Sequence, residues 1–208
     1  MAVTLLAGLG NPGAQYADSR HNVGFWLIDA FARDQEAVWS RAPKGKADIA
    51  DLRFPGRPVR LLKPRDFMNQ SGSALAPVLK YFRVPPDQLA VIVDDINLEP
   101  GRVKISVRGS AGGHNGLDDV LRHIGPDFVR FRIGIGAKPQ PEMDLADFVL
   151  GKWTAEERTR LDANLPKYLD GLRWLLQKGP LEAMNRLNRK ERADPPATTH
   201  DDNHPENL

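Results

Sequence analysis

Apolar segments of two kinds alternate along most of the chain. Short continuous or alternating apolar runs predict strands, whereas longer segments with apolar residues three or four apart predict helices. The strands are predicted at residues 3–7, 47–54, 58–62, 89–93, 102–107 and 129–135. The helices are predicted at residues 22–33, 73–82, 117–124, 154–176 and 181–187, the fourth interrupted near Pro166.

This alternation predicts an α/β fold, a single-domain three-layer sandwich. We expect a mixed, mostly parallel twisted sheet with helices on both faces. Residues 89–93 are apolar at every position, as expected of a central strand that is buried on both faces. Residues 1–188 are predicted to form this domain. Residues 189–208 are polar, contain prolines and have almost no apolar side chains, so we predict a disordered tail.

Composition narrows the class of protein. The chain has 208 residues, of which 41% are hydrophobic, and this is enough for one sizeable core. It has no cysteine, which excludes disulfide and thiolate chemistry. With no apolar stretch of roughly 20 residues and no signal-peptide pattern, we predict a cytoplasmic protein. The net charge is +2, and 26 basic and 22 acidic residues remain without residues 189–208, so an anionic partner is permitted but not required.

Polar residues capable of chemistry are concentrated in four loops at or just beyond predicted strand ends. The loops contain Asn11 to Asn22, Met68-Asn69, Asp94-Asp95 and His114-Asn115. Ligands of open α/β sheets bind beyond the carboxyl ends of the strands, so one shared rim is expected. Without cysteine or a G-x-S-x-G segment, a hydrolase built from these residues would have to activate water. A histidine oriented by a carboxylate suits that task, and His21 with Asp94 is the pair we favour.

The segment from Gly8 to Gly13 matches the G-x-G-x-x-G pattern of dinucleotide-binding loops. In such loops a helix opens at the glycines, and its N-terminus receives the pyrophosphate. Here Pro12 favours extended backbone at Asn11, and the apolar helical pattern begins only at Val23. We therefore predict no nucleotide cofactor.

Each polar residue also has a purely structural interpretation. His21 could cap or pack on the next helix, Asn115 could be an N-cap, and Asp94-Asp95 could bond loop amides. Two histidines and a carboxylate could also bind a metal ion. None of these residues stands in an H-x-x-x-H or H-x-E spacing, and asparagines outnumber good ligands, so we predict no metal.

Five segments follow one another in the chain: GLGNPGAQYADSRHNVG, RLLKPRDFMNQSG, VIVDDINLEPGRVKIS, GSAGGHNGLDDV and FRIGIG. Together they resemble the bacterial peptidyl-tRNA hydrolase family, from about Val3 to FVLGKW at Phe148 and more loosely to Leu187. The resemblance implies hydrolysis of the ester between a peptide and the 3′-terminal ribose of tRNA, which frees tRNA for translation and rescues stalled ribosomes. It also implies a monomer without cofactor or metal.

The resemblance assigns roles to the matching residues. His21 would be the general base, Asp94 would orient it, and Asn11 would position the water or the ester. The substrate contacts implied are Asn69 and Asn115 for the peptide and the 3′ CCA end, Met68 and Tyr16 as apolar walls, and Asn22 and His114 near the terminal nucleotides.

Arg132, in FRIGIG, matches a family residue that holds a tRNA phosphate, here in the acceptor stem. The alternating strand predicts that Arg130 and Arg132 point the same way from an exposed face. The partner lysine of the family falls on Ser106, with Lys104 two residues earlier on the same strand face and Arg108 two residues later. Because Arg108 adjoins the glycine-rich segment, we expect it, rather than Lys104, to supply the second cation near the rim.

The alternative class is a non-catalytic RNA- or nucleotide-binding module on the same sheet. Such a module would keep the basic residues and the asparagines. It would have no use for a paired His21 and Asp94, so this pair discriminates between the two classes.

The composition of the C-terminal segment generates one test. Deletion of residues 190–208 should change the melting temperature and the rate of ester hydrolysis little, because this segment lacks apolar surface to bury. Thermal unfolding and hydrolysis of N-acetyl-aminoacyl-tRNA by the truncated and full chains measure both. A large loss of either quantity would show that the segment docks on the domain.

Overall fold

The structure is a computed structural model of the chain, and it describes residues 2–189. The predicted tail, apart from Arg189, therefore lies outside the described residues. Among residues 2–189, no helix is both long enough and apolar enough to cross a membrane.

In the part of the chain that the structure describes, seven strands form one mixed sheet. They are β1 (Leu5–Gly8), β2 (Ser40–Arg41), β3 (Ala47–Leu52), β4 (Val59–Pro64), β5 (Leu89–Asp95), β6 (Val103–Ser106) and β7 (Val129–Gly134). Their order across the sheet is β2-β3-β4-β1-β5-β7-β6. The four inner strands β4, β1, β5 and β7 are parallel, whereas β2, β3 and β6 extend the sheet by antiparallel pairing. Strand β5 is central and buried from Leu89 to Asp94, as its apolar run predicts.

Within residues 2–189, seven α-helices cover the two faces. They are α1 (Val23–Asp34), α2 (Ser71–Phe82), α3 (Asn115–Ile124), α4 (Leu145–Leu150), α5 (Ala155–Ala163), α6 (Leu165–Lys178) and α7 (Pro180–Leu187). Short 3₁₀-helices span Ala14–Tyr16, Arg20–Asn22, Met68–Gln70 and Pro86–Gln88. Apolar residues of α1 and α4 to α7 pack in the core on one face, and those of α2 and α3 pack in the core on the other. The predicted α/β sandwich is confirmed.

The elements that the sequence did not predict are short. Helix α4 has six residues and β2 has two, too few for a periodic apolar pattern to be recognised. The long segment predicted over 154–176 is two helices, with Pro166 in the first turn of α6, where a missing amide hydrogen costs nothing.

Glycines near the start of the chain serve close packing. A Cβ added at Gly24 would lie 2.5 Å from the carbonyl oxygens of Leu9 and Ile92, and one added at Gly8 would lie 2.4 Å from the carbonyl oxygen of Gly24. The first turn of α1 therefore rests directly on the ends of β1 and β5. Close contact between helix and sheet accounts for Gly8 and Gly24.

A buried hydroxyl generates a stability test. Tyr168 has no exposed surface, its hydroxyl has no hydrogen-bond partner among the described residues, and burial raises the pKa of this phenol. Tyr168→Phe should raise the free energy of unfolding by about 1 kcal/mol, because an unsatisfied buried polar group is removed. Urea unfolding measures the change, with Tyr81→Phe on the half-exposed ring of Tyr81 as the matched control. A less stable Tyr168→Phe variant would contradict the assignment.

Candidate active site

The carboxyl ends of the parallel strands bring four loops to one rim. His21 lies in the second 3₁₀-helix after β1, and Met68 lies in the 3₁₀-helix after β4. Asp94 lies near the end of β5, and His114 immediately precedes α3. Together they line a cleft of about 580 Å³. Polar groups and apolar walls converge there, as expected of a binding site for a ligand.

A buried carboxylate joins two histidines at the base of the cleft. Asp94 Oδ1 lies 2.8 Å from His21 Nδ1 and 3.1 Å from His114 Nε2. The two imidazole rings are tilted by 44° with centroids 4.8 Å apart. Asp94 is 3% exposed, and each histidine is 8% exposed, so these hydrogen bonds are largely shielded from solvent.

The backbone of α3 determines the tautomer of His114. His114 Nδ1 accepts a hydrogen bond from the Leu117 amide, so the ring proton is on Nε2, which donates it to Asp94. His114 is thus neutral and is also the N-cap of α3, a role the sequence suggested for Asn115 instead. His114 lines the cleft with both ring nitrogens engaged within the protein, and its position near the terminal nucleotides stays a prediction.

His21 is bound differently. Its Nδ1 donates to Asp94, and its Nε2 has no partner among the described residues. Burial alone would raise the pKa of the Asp94 carboxyl, but the neighbouring His114 and His21 rings hold that pKa well below its usual range. Asp94 is therefore a carboxylate, and the orientation it imposes leaves one imidazole nitrogen of His21 available as a proton acceptor.

Asn11 links two loops of the rim and joins the two ends of its own loop. Its Oδ1 accepts a hydrogen bond from the Met68 amide at 2.8 Å, which fixes the orientation of the side-chain amide. Its backbone amide donates to Asn22 Oδ1, and Asn22 Nδ2 donates to its carbonyl oxygen. Asn11 Nδ2 is left without a partner among the described residues, and Asn11 lines the cleft. Asn22, predicted to lie near the terminal nucleotides, is buried and does not line the cleft; its side chain bonds the backbone of Asn11.

The predicted walls and some additional residues surround this cluster. Tyr16, Met68, Asn69 and Asn115 all line the cleft, and the Tyr16 ring meets the Phe67 ring edge-on at 6.3 Å. The cleft is also lined by apolar residues that the sequence did not predict, namely Phe67, Ile96, Leu145, Val149 and Leu150. Phe67 is next to Met68 and could have been found from that, whereas α4 gave no periodic signal.

One cation of the expected pair lies at the cleft. Arg132 lines it and is held by Asp95 Oδ2 at 3.2 Å and by the Ser110 carbonyl oxygen at 3.0 Å. Lys104 is directly opposite Arg132 in the antiparallel pairing of β6 with β7. Directly opposed residues project from the same face of a sheet, so Lys104 and Arg132 are neighbours. Lys104 is exposed and has no ion-pair partner among the described residues.

The expected placements of Arg108 and Arg130 are wrong. Because β6 runs antiparallel to β7, continuing past Ser106 leads away from the rim, and Arg108 pairs with Asp127 at 2.8 Å beside a second cleft. Arg130 has no exposed surface and donates to the carbonyl oxygens of Pro126, Phe128 and Gly109. Burial lowers the pKa of Arg130 to about 10, with the charge of Arg132 adding to the effect.

The residue types of the cluster could also hold a metal ion. His21, Asp94 and His114 offer ligand atoms that lie within 4.8 Å of one another. However, both nitrogens of His114 and the shared Asp94 oxygen already satisfy one another and the amide of Leu117. Metal binding would have to displace these bonds and remove the cap of α3.

Comparisons with known proteins agree with this geometry. A sequence model of the family described as Peptidyl-tRNA hydrolase matches residues 5–195. A peptidyl-tRNA hydrolase of Anaeromyxobacter dehalogenans is 42% identical over 190 residues, which cover 91% of this chain and 98% of the relative. One of Gloeobacter violaceus is 40% identical over 197 residues, covering 94% and 99%. A crystal structure of peptidyl-tRNA hydrolase from Acinetobacter baumannii is 36% identical with a TM-score of 0.83, covering 89% of this chain and 94% of that one. Because the match extends from the first strand to beyond the last helix, the chain belongs to the peptidyl-tRNA hydrolase family.

Proposed function

We propose that this chain hydrolyses the ester bond between a peptide and the 3′-terminal ribose of tRNA, with water activated by His21 and without a metal ion. The observation that carries the proposal is the hydrogen bond from His21 Nδ1 to the buried Asp94 carboxylate. It leaves Nε2 as a base at the cleft, which the side-chain amide of Asn11 also lines. Family membership supports the choice of substrate.

The reaction follows from these groups. His21 Nε2 takes a proton from water as the water oxygen attacks the ester carbonyl carbon, and Asp94 stabilises the imidazolium that forms. Asn11 Nδ2 donates to the carbonyl oxygen, on which negative charge develops. The ester bond then breaks, and the imidazolium returns its proton to the departing ribose oxygen. Products are a peptide with a free carboxylate and an intact tRNA.

The hydrogen bonds of Asn11 support its role as the donor. Because the Met68 amide holds Asn11 Oδ1, turning the side chain over would bring two donors face to face. The Nδ2 donor is thus aimed before substrate arrives, and a preorganised donor stabilises developing charge without a cost of reorientation.

The composition of the rim suits a single-stranded RNA end joined to a peptide. Asn69 and Asn115 are exposed side chains with amide donors and acceptors for sugar and base edges. Phe67, Met68 and Tyr16 provide apolar and aromatic surface. Arg132 is proposed to hold a phosphate, and the register now favours Lys104 over Arg108 as the second cation.

A binding module without catalysis is less consistent with the cluster. Burying a charged carboxylate is costly unless it is fully hydrogen-bonded. Asp94 is buried against two histidines, one of which keeps a free ring nitrogen. RNA binding alone requires no such arrangement.

The catalytic assignment can be tested by substitution. His21→Ala should lower the rate of peptide release by at least about 100-fold, the usual scale for loss of a general base. Asp94→Asn should also slow the reaction, because an amide in this position mis-sets the imidazole tautomer. Single-turnover release of N-acetyl-amino acid from N-acetyl-aminoacyl-tRNA measures the chemical step. His123→Ala, a partly exposed histidine on α3, is the matched control and should retain the wild-type rate.

The ionisation of Asp94 and the metal dependence test the same mechanism. The pKa of the Asp94 carboxyl is held well below its usual range, so Asp94 should remain ionised in mild acid and should not itself limit the rate there. EDTA should have no effect. Wild-type activity in His21→Ala, or activity that requires added zinc, would overturn the mechanism in favour of a metal site.

The phosphate assignment generates a separate test. Arg132→Ala and Lys104→Ala should each raise KM for peptidyl-tRNA with little change in kcat, because they contact a part of the substrate remote from the ester. Each should also reduce the slope of log binding constant against log salt by about one unit. Arg108→Ala, which removes a cation paired with Asp127 away from the rim, is the control and should behave as wild type. If only Arg108→Ala weakened binding of peptidyl-tRNA, the assignment of Lys104 and Arg132 to the phosphate would be wrong.

A further inference from the structure

Arg20, the residue immediately before His21, has a buried guanidinium that joins separate elements. Its side chain is 10% exposed and forms a fork on Glu157 of α5, with Nη2 2.7 Å from Oε2 and Nε 3.3 Å from Oε1. Its Nη1 donates to the carbonyl oxygen of Phe148 in α4 at 3.2 Å. The guanidinium also lies 4.7 Å from the ring centroid of Phe148 and 5.8 Å from that of Trp153.

The backbone reinforces the same junction. The Arg20 amide donates to the Gly151 carbonyl oxygen, and the Trp153 amide donates to that of Asp18. Ser19 and Lys152 form an isolated antiparallel bridge between these two bonds. The segment that leads into His21 is thus paired with the segment that leaves α4.

Helix α4 is a wall of the cleft. Leu145, Ala146, Val149 and Leu150 all line it, although the helix has six residues and is too short to be stable alone. Its first turn is capped by the Asp144 side chain. Its last turn is held by Arg20, and a Cβ at Gly151 would already lie 3.0 Å from Arg20 Nη1. The position of the wall relative to His21 therefore depends on Arg20.

We propose that Arg20, held by Glu157, is a positioning residue that fixes α4 relative to His21 and thereby sets the shape of the substrate cleft. The inference rests on the proposed function for its kinetic consequence but not for its structural one. Arg20 does not line the cleft, and its guanidinium takes no part in the hydrogen bond from His21 to Asp94. Loss of Arg20 should consequently affect substrate binding more than the chemical step.

A substitution of Glu157, the ion-pair partner of Arg20, can weaken the pair without disturbing α5. Its Oε2 also accepts the Thr154 amide, in a capping box that begins α5. Glutamine preserves a capping box, whereas it removes the charge that pairs with Arg20. Glu157→Gln therefore weakens the ion pair while leaving the start of α5 intact.

Two measurements test the proposal. Arg20→Met should raise KM for N-acetyl-aminoacyl-tRNA by about tenfold with kcat changed less than about threefold, as expected when binding rather than chemistry is affected. Hydrogen exchange of the peptide covering residues 143–152 should become about tenfold faster, because the last turn of α4 opens more often. Glu157→Gln should produce the same two changes at about threefold, and the double variant should not exceed Arg20→Met, as for residues acting through one contact.

A matched ion pair elsewhere provides the control. Arg173 joins α6 to Asp34 of α1 and takes no part in the cleft, so Arg173→Met should leave KM and exchange of residues 143–152 unchanged. If Arg20→Met fails to fold, Glu157→Gln carries the test alone.

The possible outcomes separate this inference from the proposed function. Exchange is measured without substrate, so a wild-type chain that released no peptide would refute the proposed function and leave the coupling of Arg20 to α4 testable. The positioning role would be overturned if Arg20→Met left hydrogen exchange in α4 unchanged, or if it lowered kcat at constant KM. It would also be overturned if Arg173→Met changed KM and exchange as much as Arg20→Met does. Faster exchange in α4 with raised KM would support it.

Discussion

The burial of one carboxylate, Asp94, is the constraint on which the site depends. A charged group at this depth is tolerated because two imidazoles donate to the same oxygen. Those two donors come from different loops, so satisfying Asp94 also fixes how the loops after β1 and before α3 approach each other. The need to hydrogen-bond the buried charge of Asp94 thus determines how the loops of the rim are arranged.

The sheet supplies the rigidity that this arrangement requires. Asp94 is on the central strand, between β1 and β7, where pairing on both sides leaves little freedom. Gly24 lets α1 start against the ends of β1 and β5, so His21 is anchored close to the strand that carries its partner. Functional groups on regular elements are held more precisely than groups on long loops. Here the short 3₁₀-helix that carries His21 is held in place in a similar way by α1, which rests on the ends of β1 and β5.

Sequence patterns predicted the parallel core and the approach of His21 to Asp94, because both follow from strands that end at a common edge. They did not predict α4, whose six residues are too few to show a period and which contacts Arg20 and the core. Arg108 was misplaced because a sequence does not reveal which end of a strand faces the rim when the strand is antiparallel to its neighbour. The Asn22 side chain supports Asn11 through hydrogen bonds to its backbone, and no local sequence pattern predicts these bonds.

The cap that His114 provides to α3 has a consequence for the shared carboxylate. Nδ1 of this ring accepts the Leu117 amide, so the ring proton lies on Nε2 and is donated to Asp94. The start of a helix therefore selects the tautomer of a histidine, and that histidine supplies one of the two hydrogen bonds that a buried charge requires. A backbone amide three residues along the chain thereby helps to keep a carboxylate ionised beside His21.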